Sequence, residues 1–445
     1  MRRTLGSFET ALTLSGDHAP FVVVLVLQLD ATPSPERLRG ALDALQRRHP
    51  PLGVRIVERR GCFAYEPDGT PPIPLEVRPR GGDDAWRETA EAELACPVDR
   101  RAGPLLRCLL LSSDAAVDSS QARCELVLTF HHAIMDGASG AALAGELLRL
   151  SAPGSEPGLE PSPTGTAAAL PAVEALFPRS YRGARGATRR AGFLARQLAD
   201  ELAFRYRRWS AGGGRSPAVS SSARCRVLPL GLSREETSAL VRRSRRERVT
   251  LTGALHAALL LAVHRRLYGG RPGPLRYLAF ADLRAHLSPP PDATALGSCI
   301  AMLRYTARVD GSAGPEALWP LARRVSAQID AGVRRGDRFG AVGFSEPMMR
   351  QVLAGRMGRM AATALSYVGP VALAAEGDGP MRVRGLRSFV SNLPEGPQYT
   401  AQARLFGGEL LLDVVYLEAD LDEALARAIA EDLLATLRAE GREVR

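Results

Sequence analysis

Short apolar runs of two different periods alternate along the chain. Phe21 to Leu29, FVVVLVLQL, is a continuous apolar run of strand length. Pro35 to Arg48 switches to a helical period, with Leu38, Ala41, Leu42 and Leu45 on one face and Ser34 placed to cap it. Leu105 to Leu111 and Glu125 to Phe130 predict two further strands, and Ser139 to Leu150 a helix with Leu143, Leu147 and Leu150 in register. The pattern then breaks. Ser151 to Thr166 is rich in Pro, Gly and Ser and reads as a linker. Arg179 to Trp209 predicts an arginine-dense helix whose apolar side is Phe193, Leu194, Leu198, Leu202 and Phe204, and Gly212 to Gly214 forms a second break.

Strands and helices resume near Arg224. Val249 to Val263 predicts a buried helix, Glu409 to Tyr416 a strand, and Leu421 to Leu437 a closing helix. Mixed elements on both sides of the breaks predict an α/β layered protein. The implied spans are 1–150, a linker with the arginine helix over 151–223, and 224–445. A length of 445 residues suits two such halves, and 45% hydrophobic with 24% charged residues is the balance of a soluble globular protein. The longest apolar runs are too short to cross a bilayer, and Phe21 to Leu29 lies too deep for a signal peptide, so a cytoplasmic protein is expected.

Charge and cysteine content narrow the chemistry further. The six cysteines are scattered without a C-x-x-C pair or a histidine at ligand spacing, which argues against zinc and against a disulfide framework. The net charge of +10 is carried by arginine alone, since the sequence has no lysine. Nine arginines between Arg179 and Arg208 form one cluster, and five between Arg242 and Arg248 another. Such clusters suit acidic partners, although a solvated helix face explains any single arginine as well. Nucleic acid is the partner that charge alone would suggest, but no recognised binding motif and little aromatic interleaving accompany it.

The stretch LTFHHAIMDG, Leu128 to Gly137, concentrates the candidate chemistry. In an extended strand His132 shares a face with Leu126, Leu128 and Phe130, while His131 falls on the other with Glu125, Val127 and Thr129. An imidazole on an apolar face must be neutral or paired, and a neutral one suits a general base. Asp136 could orient His132, as in a triad, or pin the loop through an arginine elsewhere. No G-x-S-x-G motif offers a serine nucleophile, and Gly137 lets the chain bend into the next helix.

The letters HHAIMDG fit the H-H-x-x-x-D-G signature, so the chain resembles the condensation-domain and chloramphenicol-acetyltransferase-like acyltransferase superfamily, closest in character to polyketide-associated acyltransferases. Flanking stretches agree in order: Leu38 to Leu52 with the early "L..AL..L..RHP.L" segment, Val98-Asp99 with Gly103 to Arg107, and Asp282 to Arg284 followed by Leu296-Gly297. The resemblance implies two chloramphenicol-acetyltransferase-like subdomains forming a V-shaped pseudo-dimer with an active-site channel between them. It implies His132 as general base, with His131 and Ser366 in the catalytic group. Asp136 and Gly137 become structural, with Arg284 of the second half as the salt-bridge partner of Asp136. Ser366 lies in Leu365 to Gly369, which resembles the family's S-N-x-G segment with Tyr367 at the asparagine position; Ser391-Asn392 is a competing match.

Other departures argue against the standard amide-forming and plant branches: Ala301 stands where many condensation domains carry asparagine, and the D-F-G-W-G block is absent. The implied reaction is transfer of an acyl group from acyl-coenzyme A or an acyl carrier protein's pantetheine arm to a small alcohol acceptor, with no bound metal or redox cofactor. A stand-alone condensation enzyme forming an amide, with an acyl or peptidyl carrier protein as partner, is the second expectation. A catalytically silent carrier-docking protein is the third.

Overall fold

The computed structural model describes residues 2–112, 123–152, 169–210, 219, 222–292, 295–373 and 381–441. Most of the expected Ser151 to Thr166 linker and the Gly212 to Gly214 break lie outside the described residues. The chain divides into two compact units, each assembled from separated stretches. The first comprises Met1–Leu176, Arg284–Cys299 and Pro370–Ser391; the second comprises Phe177–Leu283, Ile300–Gly369 and Asn392–Arg445. Three consecutive spans were expected from the sequence. Instead, two stretches from the later part of the chain fold with the first unit, one as a sheet strand and one as a strap across the HHAIMDG turn.

The first unit is built on a five-stranded sheet in the order Val383–Val390, Val22–Leu29, Cys124–His131, Leu106–Ser112, Leu75–Pro79. The last pair is parallel and the others antiparallel. A smaller antiparallel sheet of Arg3–Thr4, Cys62–Glu66 and Arg55–Arg59 belongs to the same unit. The apolar run at Val22 forms a strand because it is interior to its sheet, flanked on both edges. Ser34 caps the helix Pro35–Arg48 by accepting from the Arg37 amide at 3.3 Å.

The strand Cys124–His131 also has neighbours on both edges, and every one of its residues is buried. Its two faces differ. Leu126, Leu128 and Phe130 are apolar and almost fully covered. On the other face Glu125 meets Arg80 at 2.9 Å, and Thr129 donates to Glu93, which also pairs with Arg107 at 2.6 Å. These pairings compensate the desolvation of the polar face.

The second unit is built on a six-stranded sheet in the order Ile300–Val309, Gly273–Asp282, Thr363–Pro370, Tyr399–Phe406, Glu409–Leu417, Cys225–Leu232. Its core helix is Leu251–Leu267, capped by Thr250, whose hydroxyl accepts from the Gly253 amide at 3.0 Å. Residues 253–264 of this helix are all buried, because it packs against the helices Leu318–Arg335 and Glu423–Gly441. The arginine-dense segment forms a short turn, Arg179–Tyr181, and then the helix Gly183–Ser210. Its expected apolar side is covered only in part: Phe193 is buried, but Leu198 and Leu202 are 61% and 59% exposed.

Candidate active site

The site grows out of the end of the buried strand. His131 is the last strand residue, paired with Val22, and His132 begins the turn that leads to the helix Gly137–Ser151. Two hydrogen bonds give the adjacent rings opposite tautomers. The Ala133 amide donates to His131 Nδ1 at 3.2 Å, so that nitrogen is the acceptor and the ring proton sits on Nε2. His132 Nδ1 lies 2.9 Å from the Met135 carbonyl oxygen. A carbonyl oxygen only accepts, so Nδ1 of His132 carries the proton and Nε2 carries the lone pair.

The consequences for the two rings differ. His131 Nε2 is buried without a hydrogen-bond partner and faces Gly16, where a Cβ would stand 3.3 Å away. Burial, then the neighbouring His132, push its pKa down to about 4. The His131 ring accepts from the turn's backbone at Nδ1 and packs towards Gly16 at Nε2, so in this structure it holds the turn. His132 is 8% exposed, lies beside the Phe21 ring at a centroid distance of 6.3 Å, and makes no Nε2 hydrogen bond to a described residue. Burial lowers its pKa, opposed by the bond to Met135 and by the charge of Asp136. The ring is therefore neutral near pH 7 with a basic nitrogen uncommitted.

Asp136 makes no hydrogen bond to His132. It is the cap of the helix Gly137–Ser151: its Oδ1 accepts from the Ser139 amide at 3.0 Å, while Ser139 Oγ accepts from the Asp136 amide at 3.2 Å. Arg284 Nη2 donates to Oδ1 at 3.0 Å, Arg284 Nη1 lies 2.8 Å from Oδ2, and the Cys299 amide donates to Oδ2 at 2.9 Å. Burial raises the pKa of such a carboxyl, but the Arg284 charge and these donors outweigh it and hold Asp136 below its usual value. Both oxygens are thus engaged, and the aspartate pins the turn. Arg284 belongs to the first unit by its contacts, although it follows much of the second in sequence.

Further residues frame the turn. Gly137 starts the helix, and Gly140 one turn on lies where a Cβ would stand 3.2 Å from the Phe130 ring. The Tyr65 hydroxyl donates to the Ala133 carbonyl at 2.9 Å from the smaller sheet. A hollow of about 20 Å³ beside Tyr65, Ala133 and Ile134 has room for about one water and no substrate. Ser139 was legible as a capping partner three residues after Asp136. Tyr65 and the Cys299 amide carried no local signal, being remote in sequence.

Ser366 lies in the second unit, half-buried in the strand Thr363–Pro370, without a hydrogen bond to a described residue. The competing Ser391 is buried in the first unit: its hydroxyl donates to the Leu94 carbonyl at 3.2 Å and accepts from the Val22 amide at 3.1 Å. Asn392 is buried and its amide donates to the Pro397 carbonyl. Four cysteines are buried, Cys62 and Cys96 are exposed, and none of the six forms a disulfide. Among the described residues no cluster of metal-ligating side chains occurs, and no helix is long and apolar enough to cross a membrane.

Residues 221–393 match the family described as the phthiocerol/phthiodiolone dimycocerosyl transferase C-terminus. A stretch of 144 residues is 35% identical to phosphinothricin tripeptide synthetase PhsC of Streptomyces viridochromogenes; it covers 31% of this chain but only 12% of that synthetase. Among solved structures, the trichothecene 15-O-acetyltransferase of Fusarium sporotrichioides superposes with a TM-score of 0.76 at 14% identity, over 99% of this chain and 95% of that one. Polyketide synthase associated protein 5 of Mycobacterium tuberculosis gives 0.67 at 19% identity, over 100% and 98%. The cyclization-docking bidomain of EpoB from Sorangium cellulosum gives 0.68 at 17% identity, over 100% and 86%. The chain thus shares one fold with these acyltransferase and cyclization structures along its whole length, and residues 221–393 carry the similarity to the dimycocerosyl transferase C-terminus.

Proposed function

We propose that the protein is an acyltransferase that moves an acyl group from a thioester to an alcohol, with His132 as general base. The observation that carries this reading is the His132 tautomer: Nδ1–H is tied to the Met135 carbonyl, and burial keeps the ring neutral with a lone pair on Nε2. In the proposed step Nε2 takes the hydroxyl proton as the acceptor oxygen attacks the thioester carbonyl. The tetrahedral oxyanion collapses, the C–S bond breaks, and the leaving sulfur takes the proton from Nε2. Ser366, whose hydroxyl is uncommitted among the described residues, is the proposed side-chain donor to the oxyanion, beside backbone N–H groups. No resident metal or redox cofactor is part of this scheme.

The donor is acyl-coenzyme A or an acyl carrier protein, both of which bring negative charge to an arginine-rich chain. An amide-forming reading has one observation in its favour, the identity to part of a tripeptide synthetase. Both readings predict release of free thiol that requires an acceptor, and product mass separates ester from amide. The test compares the wild type with His132→Ala on a panel of acyl-coenzyme A and acyl-carrier donors with alcohols and amines. A loss of about 10²–10⁴-fold in thiol release is expected for the variant. A folded variant that matches the wild type on every active donor and acceptor overturns the assignment of the base. Saturable carrier binding without turnover would instead support the docking alternative.

A further inference from the structure

An apolar opening of about 420 Å³ lies wholly within the second unit, well inside the size range of small-molecule sites. Four of the chain's eight methionines line it, Met302, Met348, Met357 and Met360, with Leu194 and Leu198 of the arginine helix. Unbranched thioether side chains adapt to a flexible apolar guest better than a rigid core does. Leu198, 61% exposed, connects the interior of this opening to solvent. Gln197 and Gln351 add two amides to the wall, and its charged part is Glu201 with Arg304.

That charged part is unbalanced. Glu201 receives Arg205 at 2.7 Å, Arg276 at 2.7 Å and Arg304 at 3.3 Å, so three guanidiniums converge on one carboxylate. Asp200, the next carboxylate, accepts from the Thr306 hydroxyl at 2.9 Å and adds its own charge near Arg276, so three guanidiniums stand against two carboxylates. Arg276 is 5% exposed and stacks on Phe204 with its guanidinium carbon 3.8 Å from the ring centre, yet its Nε has no hydrogen-bond partner, and neither does Nε of Arg304. Arg304 is the guanidinium that lines the opening, and the carboxylate it pairs with is shared with two more, so a charge-assisted acceptor is in short supply there. Alkyl lining beside surplus positive charge is the pattern that recognises an amphiphile.

We propose that this opening binds a single-chain amphiphile, a long alkyl chain lying among the methionines with an anionic head at Arg304. The site shares no residue with the proposed acyl-transfer machinery and stands or falls independently of it. The test is a fluorescence titration of the full chain with cis-parinaric acid, a fluorescent long-chain fatty acid, and with its neutral methyl ester. Saturable binding of the acid is expected, weakened at least about tenfold by Ala195→Trp, which fills the opening from an exposed helix position, and similarly by Met348→Trp. Arg304→Gln should weaken the acid about fivefold and leave the ester unchanged, and His132→Ala should bind the acid as the wild type does. Absence of saturable binding, or unchanged binding in an Ala195→Trp protein with a native circular-dichroism spectrum, overturns the site. Equal affinity for acid and ester overturns the anionic head.

Discussion

Asp136 and Glu201 are both carboxylates gathered in by arginine, and they are treated in opposite ways. Asp136 meets one guanidinium through both oxygens and two backbone amides, so charge and hydrogen bonds match. Glu201 meets three guanidiniums and leaves N–H donors over. The first cluster is closed and serves geometry, holding the turn that aims His132. The second reaches the wall of an apolar opening through Glu201 and Arg304 and is the proposed place for an anionic head. The two clusters differ in the ratio of guanidiniums to carboxylates and not in burial alone.

Breaking the closed cluster should have the largest effect. Asp136→Ala leaves Arg284 and two amides without their acceptor, and a loss of about 3–5 kcal/mol is expected in urea unfolding monitored by circular dichroism. A loss below about 1 kcal/mol would show that water substitutes for the carboxylate and that the turn is not pinned there.

Acid should act next, through His131. Its pKa is about 4 when folded and near 6.5 when unfolded, so the unfolded chain takes the proton first as pH falls. Its contribution is therefore complete above about pH 6.5 and lost progressively toward about pH 4, amounting to roughly 3 kcal/mol. His131→Asn keeps an acceptor for the Ala133 amide and does not titrate. Its stability should fall less than the wild type's between about pH 7.5 and about pH 4.5, and parallel curves would show that His131 is not buried as a neutral ring.

A smaller change is expected from Tyr65→Phe, which removes the donor to Ala133 and keeps the ring. About 1 kcal/mol of stability should be lost, with kcat reduced and the pH profile of kcat/KM unshifted, because the hydroxyl positions the turn without touching the proton. The smallest effect belongs to the open cluster. Arg304→Gln removes one of three positive charges around Glu201, and stability should change by less than about 1 kcal/mol in the same urea assay. A cost near that of Asp136→Ala would mean that the two clusters are built alike.

Local pattern was enough for the elements that carry the motif. The helix Pro35–Arg48 and its Ser34 cap are written in a 3.6-residue period and one hydroxyl, and the strands at Val22 and Leu106 begin within one residue of their apolar runs. The expected alternation of faces along the histidine strand also describes the structure, since Glu125 and Thr129 take polar partners while Leu126 and Leu128 are apolar. The helix Gly183–Ser210 is the counterexample. Its apolar positions are visible in sequence, but Leu198 and Leu202 adjoin solvent rather than core, because amphipathic spacing says which residues share a face and not what covers it.

The sequence by itself therefore determined the class of fold and the HHAIMDG constellation, since these follow from period and a motif of seven adjacent positions. Residue chemistry left two roles open for Asp136, and only the family resemblance implied its pairing with Arg284. Only the tertiary structure decided which histidine nitrogen is free, that the carbonyl of Met135 bonds the other, and that the Cys299 amide joins Arg284 in closing the aspartate's shell. The reason is physical. A tautomer is set by the hydrogen bond made at the ring's other nitrogen, and a buried carboxylate is satisfied by whatever donors the fold brings to it, in this case from about 150 residues away in the chain.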